Sequence, residues 1–382
     1  MTRSKILLIG FLSEQLMTGA SLGFLSLVNG LRAENISHRV VNILKAGKPR
    51  KAGMFSFTRC IQIIIPLIEI YCKIPISHGC YYLISITKAG FTKDFFVIWW
   101  AAIWRKRIIV HLHSAGYAEF YSSQHPCGRW IIRKTLNRCD RIITLGESMR
   151  HQFDFVSNFE SRVVVIRNGP PLEISERISI PKTLQNNRSI GVLYLSNMIP
   201  SKGFFDLVKA ARILESEFPG KYRFDLCGAF GVSGNESEFP RNSSELIEVL
   251  RNWNLTSVVQ YHGTIEGAYK DKLLRDSKIF VLPTKYPTEG QPISIIEAMA
   301  YGTPVIATRW KGIIEQVLEG KTGYYVDFFS PEDIAKKIVD ISTSPSHYEE
   351  LSKQSYEYYL EYFTRKAHIK NMVDLFREVY DL

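Results

Sequence analysis

The sequence has no Gly-x-Gly-x-x-Gly fingerprint after its first apolar run. The stretch from Gly10 to Gly23 does not supply one, which argues against a dinucleotide-dependent dehydrogenase. Cysteine is sparse. The six residues, at 60, 72, 80, 127, 139 and 227, form no Cys-x-x-Cys pair and no compact cluster. They read as reduced, mostly buried thiols of a cytoplasmic protein, not as disulfide staples or zinc ligands. No apolar run reaches the ~20 residues of a membrane span; Cys60 to Cys72 is short and holds Pro66 and Glu69. The amino terminus, MTRSKILLIGFLSEQ, has a basic start and a short apolar run. No small-residue cleavage site follows, so it reads as a first buried strand and not as a signal peptide. There is no internal sequence repeat.

What is present is a chain of 382 residues, 46% apolar and 22% charged, the profile of a globular protein with two domains of roughly 150–200 residues each. The net charge of +11 is unevenly spread. Residues 1–180 hold 24 Lys and Arg against 11 Asp and Glu, whereas residues 181–382 hold 24 against 26. A basic first half points to an anionic partner, such as a membrane surface or a phosphate-bearing acceptor, or is an ordinary solvated surface.

Apolar runs of strand length alternate with stretches of helical spacing along the whole chain. The first series of strands is Ile6–Ile9, Val40–Ile43, Tyr81–Ile86, Ile108–Leu112, Arg141–Leu145 and Val163–Ile166. Lys45 to Ser56 reads as a basic loop, and Pro66 is expected to kink or break the helix Phe57 to Tyr71. A helix is placed at Phe95–Trp104, others at Trp130–Arg138 and from Ser148. The run FFVIWWAAIW, followed by Arg105-Lys106-Arg107, reads either as a core helix or as a segment docking at a lipid headgroup layer. Its nearly all-round apolarity favours the core, with contact through an exposed edge left open. Asn168-Gly169-Pro170-Pro171 and the polar stretch Leu172 to Asn187 mark a boundary. The second series of strands is Ile190–Leu195, Tyr222–Cys227, Val258–His262, Lys278–Pro283, Val305–Ala307 and Gly323–Val326. The expected fold is α/β: two Rossmann-like, doubly wound domains facing each other across a cleft, with ligands at the carboxyl ends of the strands. The expected divisions are 1–180, 181–360 and a terminal helical segment, 361–382.

The second half centres on Glu289 to Thr308, EGQPISIIEAMAYGTPVIAT. Two glutamates, Glu289 and Glu297, flank seven residues. Pro292 suits the first position of a helix, whose free N–H groups, including those of Ile293 and Ser294, form an anion site. Carboxylates accept hydrogen bonds from sugar or ribose hydroxyls. The alternative is that Glu297 is an exposed helix residue and Glu289 a charge favoured by the helix dipole.

This stretch resembles the Glu-x7-Glu signature of the retaining glycosyltransferases of the GT-B fold, family 4 or group 1. Further resemblances follow in the same order as in that family: Asp140-Arg141-Ile142-Ile143 with Ser148, Val164 to Gly169, Leu195 to Gly203, and Lys311-Gly312 with Glu315 through Gly323. The resemblance implies a first domain that binds acceptor, a second that binds a nucleotide sugar, and a last helix that packs back on the first. It implies that Glu289 contacts the donor sugar, Glu297 the ribose, and Lys202 the diphosphate. The backbone N–H groups of Gly290, Gln291 and Ile293, with Ser294, would line the donor pocket, and Gly19 and Gly228 would belong to it. His113 would lie near the sugar and acceptor, with His111 structural.

Two departures stand out. The family's arginine ahead of the lysine is Asn197 here, and an amide cannot match bidentate phosphate contacts; Arg309 is the candidate substitute. The first loop has Thr18-Gly19 in place of a glycine pair. No DxD-type metal motif is present. The implied reaction is therefore a retaining, metal-independent sugar transfer without a cofactor, to a glycan or lipid-linked acceptor of cell-surface polysaccharide, lipopolysaccharide or glycolipid. The implied location is cytoplasmic, with peripheral contact on the inner face of the cell membrane and no nucleic-acid partner. A nucleotide-sugar epimerase of the same fold and a non-catalytic sugar-binding protein are the alternatives.

Overall fold

The computed structural model describes residues 5–12, 19–43, 57–171, 179–184, 189–231 and 239–382. The expected loop at Lys45–Ser56, Thr18 and most of the Leu172–Asn187 linker lie outside the described residues. The chain divides into two compact units, Met1–Glu173 with Thr364–Leu382, and Ile174–Phe363.

The first unit is built on six parallel strands, β1 (Ile6–Gly10), β2 (His38–Asn42), β3 (Gly79–Leu83), β4 (Arg107–His111), β5 (Arg141–Thr144) and β6 (Val163–Val165), in the order β2-β1-β3-β4-β5-β6. The second holds β7 (Ile190–Leu195), β8 (Tyr222–Cys227), β9 (Val259–Gly263), β10 (Ile279–Leu282), β11 (Val305–Thr308) and β12 (Gly323–Val326), in the order β12-β11-β10-β7-β8-β9. Parallel strands need crossover helices on both faces, which buries them on both sides. That is why β1, β3, β10 and β11 are uninterrupted buried runs. In each sheet one pair of neighbours, β1 with β3 and β7 with β10, marks where the winding reverses, and loops diverge there at the carboxyl ends.

The last helix, Arg365–Tyr380, belongs to the first unit. Met372, Val373, Phe376 and Tyr380 join Phe24, Tyr81 and Ile109 in one buried cluster. Two glycines make its seat. A Cβ on Gly30 would lie 2.7 Å from Ile369, and one on Gly79 only 2.3 Å from the Tyr380 ring. The Tyr380 hydroxyl donates to the Cys80 carbonyl at 2.7 Å, and its own carbonyl lies 2.6 Å from His78 Nε2.

Several local expectations need correction. The helix Phe57–Lys73 runs through Pro66 without ending, so of the kink or break expected there the break does not occur. The apolar helix begins not at Phe95 but at Lys88, where the Thr87 hydroxyl accepts the Gly90 N–H at 3.1 Å. It is not apolar-buried all round either: Val97, Ile98 and Ala101 face the core, while Phe96 and Ile103 are exposed. Its one acidic residue, Asp94, turns inward to accept from the Tyr82 hydroxyl at 2.6 Å and the Ser85 N–H at 2.8 Å. Burial pushes its carboxyl up to about 6. The basic helix spans Pro126–Leu136, four residues ahead of its expected start, since Pro126 suits a first turn. Ser148 lies in a 3-10 turn, Glu147–Phe153, not an α-helix. Lys311–Glu315 likewise forms a 3-10 turn.

Tyr380→Ala is expected to destabilise the first unit by about 3–5 kcal/mol through the cavity it leaves, and Tyr380→Phe by about 1 kcal/mol through the lost hydrogen bond. Urea denaturation followed by tryptophan fluorescence checks both values.

Candidate active site

In the second unit, adjacent strands β7 and β10 deliver the two decisive loops. The β7 loop ends in a single 3-10 turn, Pro200–Lys202, closed by Gly203 at φ +76°. A side chain there is excluded twice, since this left-handed backbone favours glycine and a Cβ would sit 2.3 Å from the Pro283 carbonyl. The loops are stitched by the Lys285 N–H donating to the Ser201 carbonyl at 2.6 Å.

This packing puts Lys202 Nζ 3.2 Å from both carboxylate oxygens of Glu289. Glu289 is 6% exposed. Its second oxygen accepts from the Thr284 hydroxyl at 2.9 Å, and Thr284 Oγ1 in turn accepts the Tyr286 N–H at 3.0 Å. The ammonium also lies 4.9 Å over the Tyr286 ring. Beneath the loop, the buried Tyr194 hydroxyl donates to the Asn197 carbonyl at 3.1 Å. Burial, with Glu289 nearby, holds that phenol well above its ordinary range.

The helix Ile293–Ala300 starts just after Glu289. Pro292 caps it from outside, with φ −56° and ψ 119°, and does not occupy its first position as expected. Gly290 and Gln291 are buried in the turn before it, and Ser294 is half-buried. The carbonyl of Pro292 is fixed by Gln316 Nε2 at 3.0 Å. Glu297, on the second turn, is buried, which removes the exposed-residue alternative; Lys270 donates to it at 2.7 Å. Gly228, at φ +145°, approaches Ser196 so closely that a Cβ would lie 1.9 Å from its carbonyl oxygen. Asn197 is exposed at the outer edge of the β7 loop. Arg309 is also exposed, 3.4 Å from Glu319 and 4.1 Å over the Tyr325 ring. It is not among the groups that meet Lys202.

The first unit holds the other two candidates. Gly19, exposed, begins the helix Gly19–Ala33. One turn on, Gly23 leaves room for His113, whose Cε1 would be 2.9 Å from a Cβ there. His113 follows β4 and stacks on His111, ring centroids 3.9 Å apart. His111 Nδ1 is engaged by the Tyr81 hydroxyl at 2.7 Å. Both ring nitrogens of His113 are buried without a hydrogen-bond partner. Burial, with His368 nearby, pushes its pKa down to about 3, so the ring is neutral and one nitrogen can accept a hydrogen bond.

Thr284, Tyr286 and Lys270 were missed by sequence reasoning. A threonine two residues past a strand and a lysine on a solvated helix carry no local signal; only the closed fold pairs them with the glutamates. Among the described residues no three His, Cys, Asp or Glu side chains are placed together as a metal site.

Residues 175–358 match the family described as glycosyl transferases group 1, and residues 84–173 match glycosyltransferase family 4. The chain belongs to this glycosyltransferase family. An uncharacterised glycosyltransferase of Methanocaldococcus jannaschii is 26% identical over 255 residues, 66% of this chain and 63% of that one. A poly(ribitol-phosphate) alpha-N-acetylglucosaminyltransferase of Staphylococcus aureus is 25% identical over 251 residues, 64% of this chain and 45% of that one. These alignments therefore span less than two thirds of each relative, 63% and 45%. The fold matches the crystal structure of Anabaena HepE in complex with UDP and glucose, with TM-score 0.68 and 16% identity over 98% of this chain and 99% of that one. The two-sheet architecture of this chain is thus the GT-B fold.

The contribution of His113 to stability should rise with pH between about 3 and 6.5, against an opposite contribution from Asp94 below about 6. Below 6.5 the unfolded chain gains a proton that folded His113 refuses down to about 3. The urea midpoint at pH 5 should lie below that at pH 7, and His113→Gln should narrow the gap. In labelled-histidine NMR, the His113 resonances should keep their neutral-ring shifts at pH 5.

Proposed function

We propose that this glycosyltransferase moves a sugar, with retention at the anomeric carbon and without a metal ion, from a nucleoside diphosphate sugar to a glycan or lipid-linked acceptor. The reading places it in the assembly of cell-surface polysaccharide, lipopolysaccharide or glycolipid, in the cytoplasm at the inner face of the membrane. The observation that carries it is the buried Lys202–Glu289–Thr284 group at the amino-terminal end of the helix Ile293–Ala300.

Two carboxylates beside an anion site would repel the anion unless each had its own task. Here Lys270 partners Glu297, leaving Lys202 and the free N–H groups of the helix for the diphosphate. When the donor arrives, its phosphates compete with Glu289 for Lys202, and Glu289 becomes free to accept from sugar hydroxyls. The bond from the anomeric carbon to the leaving phosphate oxygen breaks. A bond to the acceptor oxygen forms on the same face, and the acceptor proton passes to that phosphate. Negative charge grows on the phosphate as the bond breaks, so the useful groups are those aimed at it. No protein nucleophile is required. Support for a uridine nucleotide comes from the UDP held by the HepE fold relative, and for a phosphate-bearing acceptor from the poly(ribitol-phosphate) enzyme. The basic first half suits such an acceptor.

Lys202→Ala and Glu289→Gln should each lower kcat/KM by about 10²–10³, measured as nucleoside diphosphate released together with new glycoside. Unchanged turnover in both variants would remove the site assignment. In a thermal-shift screen, a nucleoside diphosphate at about 100 times its Kd should add about 2.7 kcal/mol of stability, and Lys202→Ala should reduce the shift.

A further inference from the structure

Sugar transfer leaves the outward face of the helix Lys88–Ile103 unexplained. A surface helix normally turns polar residues to water. This one turns out Phe96, 54% exposed, and Ile103, 66% exposed, seven residues apart on one stripe, with half-buried Trp99 and Trp100 between them. Its only acidic side chain is the inward-facing Asp94.

The stripe continues onto both neighbouring helices. On one side Trp100 donates to the Tyr71 carbonyl at 3.0 Å and packs on the Tyr71 ring. That places it beside the exposed Ile65 and Ile68 of the helix Phe57–Lys73. On the other side Trp99 donates to the Thr135 hydroxyl at 3.1 Å, joining the helix Pro126–Leu136, which exposes Trp130. At the helix end, exposed Trp104 is followed by Arg105, and Lys106 reaches back to the Ser77 carbonyl at 2.7 Å, next to exposed Ile76. Contiguous apolar exposure of this kind marks a binding surface, not ordinary solvent contact.

Charge says what covers it. Residues 65–138 hold ten Lys and Arg against three Asp and Glu. Of the three, Asp94 is buried and Glu69 is paired with Lys73. The basic groups stand at the edge of the apolar stripe: Arg105, Arg133, Lys134 and Arg138 are exposed. The Arg138 guanidinium lies 4.8 Å over the Trp99 ring, and Lys134 Nζ lies 5.9 Å from the Trp130 centroid. Tryptophans flanked by cations suit the boundary between acyl chains and anionic headgroups. Among the described residues no helix is long and apolar enough to cross a membrane.

We infer that the face formed by Phe96, Trp99, Ile103, Trp104 and Trp130 docks on an anionic lipid bilayer, with Phe96 and Ile103 entering the acyl boundary and Arg105, Arg133 and Lys134 meeting lipid phosphates. This rests on, and sharpens, the proposed location at a membrane. Its test needs no turnover.

The test is vesicle flotation of the full chain with phosphatidylglycerol–phosphatidylcholine and with pure phosphatidylcholine vesicles at low salt. Partition to the anionic vesicles should be about tenfold or more stronger. Brominated lipid should quench the tryptophan fluorescence, and Phe96→Asp with Ile103→Asp should weaken partition about tenfold or more. Arg105→Glu, Arg133→Glu and Lys134→Glu together should abolish the preference for anionic lipid. All these positions are exposed, so the variants should keep the parent melting temperature. Equal partition to both vesicle types, or undiminished partition of both variants, overturns the inference. So does self-association in sedimentation velocity that Phe96→Asp with Ile103→Asp removes while vesicles stay unbound: the face then belongs to a second copy. Vesicle binding without a thermal shift by nucleoside diphosphate would count against the proposed function and leave the docking face standing.

Discussion

A carboxylate withdrawn from water must find a counter-charge or lose its ionisation. Two glutamates of the second unit are withdrawn in this way, and each has a lysine. The requirement shapes everything around them. Lys202 can reach Glu289 only because β7 and β10 are neighbours where the sheet reverses its winding. It can do so at close range only because Gly203 lets its loop fold against Pro283. An unpaired buried charge costs several kcal/mol, so these lysines are as much part of the resting fold as of any ligand site. In the resting fold each of the two buried carboxylates therefore keeps its own counter-charge.

The first unit solves its polar problem differently. It packs uncharged imidazoles, His111 on His113, against a glycine of the first helix, and lets burial keep them neutral. One unit thus offers balanced charge and the other offers lone pairs. The division follows from the neighbours: lysines ring the glutamates, whereas apolar strands and a closing helix surround the histidines.

Much of this was legible in the amino-acid sequence. Buried parallel strands are continuous apolar runs, so all twelve of those predicted fall on strands of the two sheets, with ends shifted by at most three residues. Glu289 and Lys202 stood out because they lie in loops that follow such strands, and Glu297 because it stands on the following helix with seven residues between it and Glu289. What escaped was whatever depends on long-range packing. Thr284 and Lys270 have no local mark. Pro66 reads as a breaker until its helix is held by neighbours. For the apolar helix, composition could not tell outward from inward; that was decided by Asp94, which finds Tyr82 and Ser85 in the interior and turns the aromatic side out. Asn197 stays exposed, and Arg309 lies against Glu319 and Tyr325.

The return of the helix Arg365–Tyr380 to the first unit also has a meaning in time. The chain leaves that unit after Glu173 and rejoins it at Thr364. On a ribosome making 5–20 residues per second, the nearly 190 intervening residues take roughly 10–40 s. Until then the groove beside Phe24, Tyr81 and Ile109 lacks the cover that Met372, Phe376 and Tyr380 provide. The second unit is complete in sequence while the first is still open. The first unit therefore gains this cover only after the sequence of the second has been made.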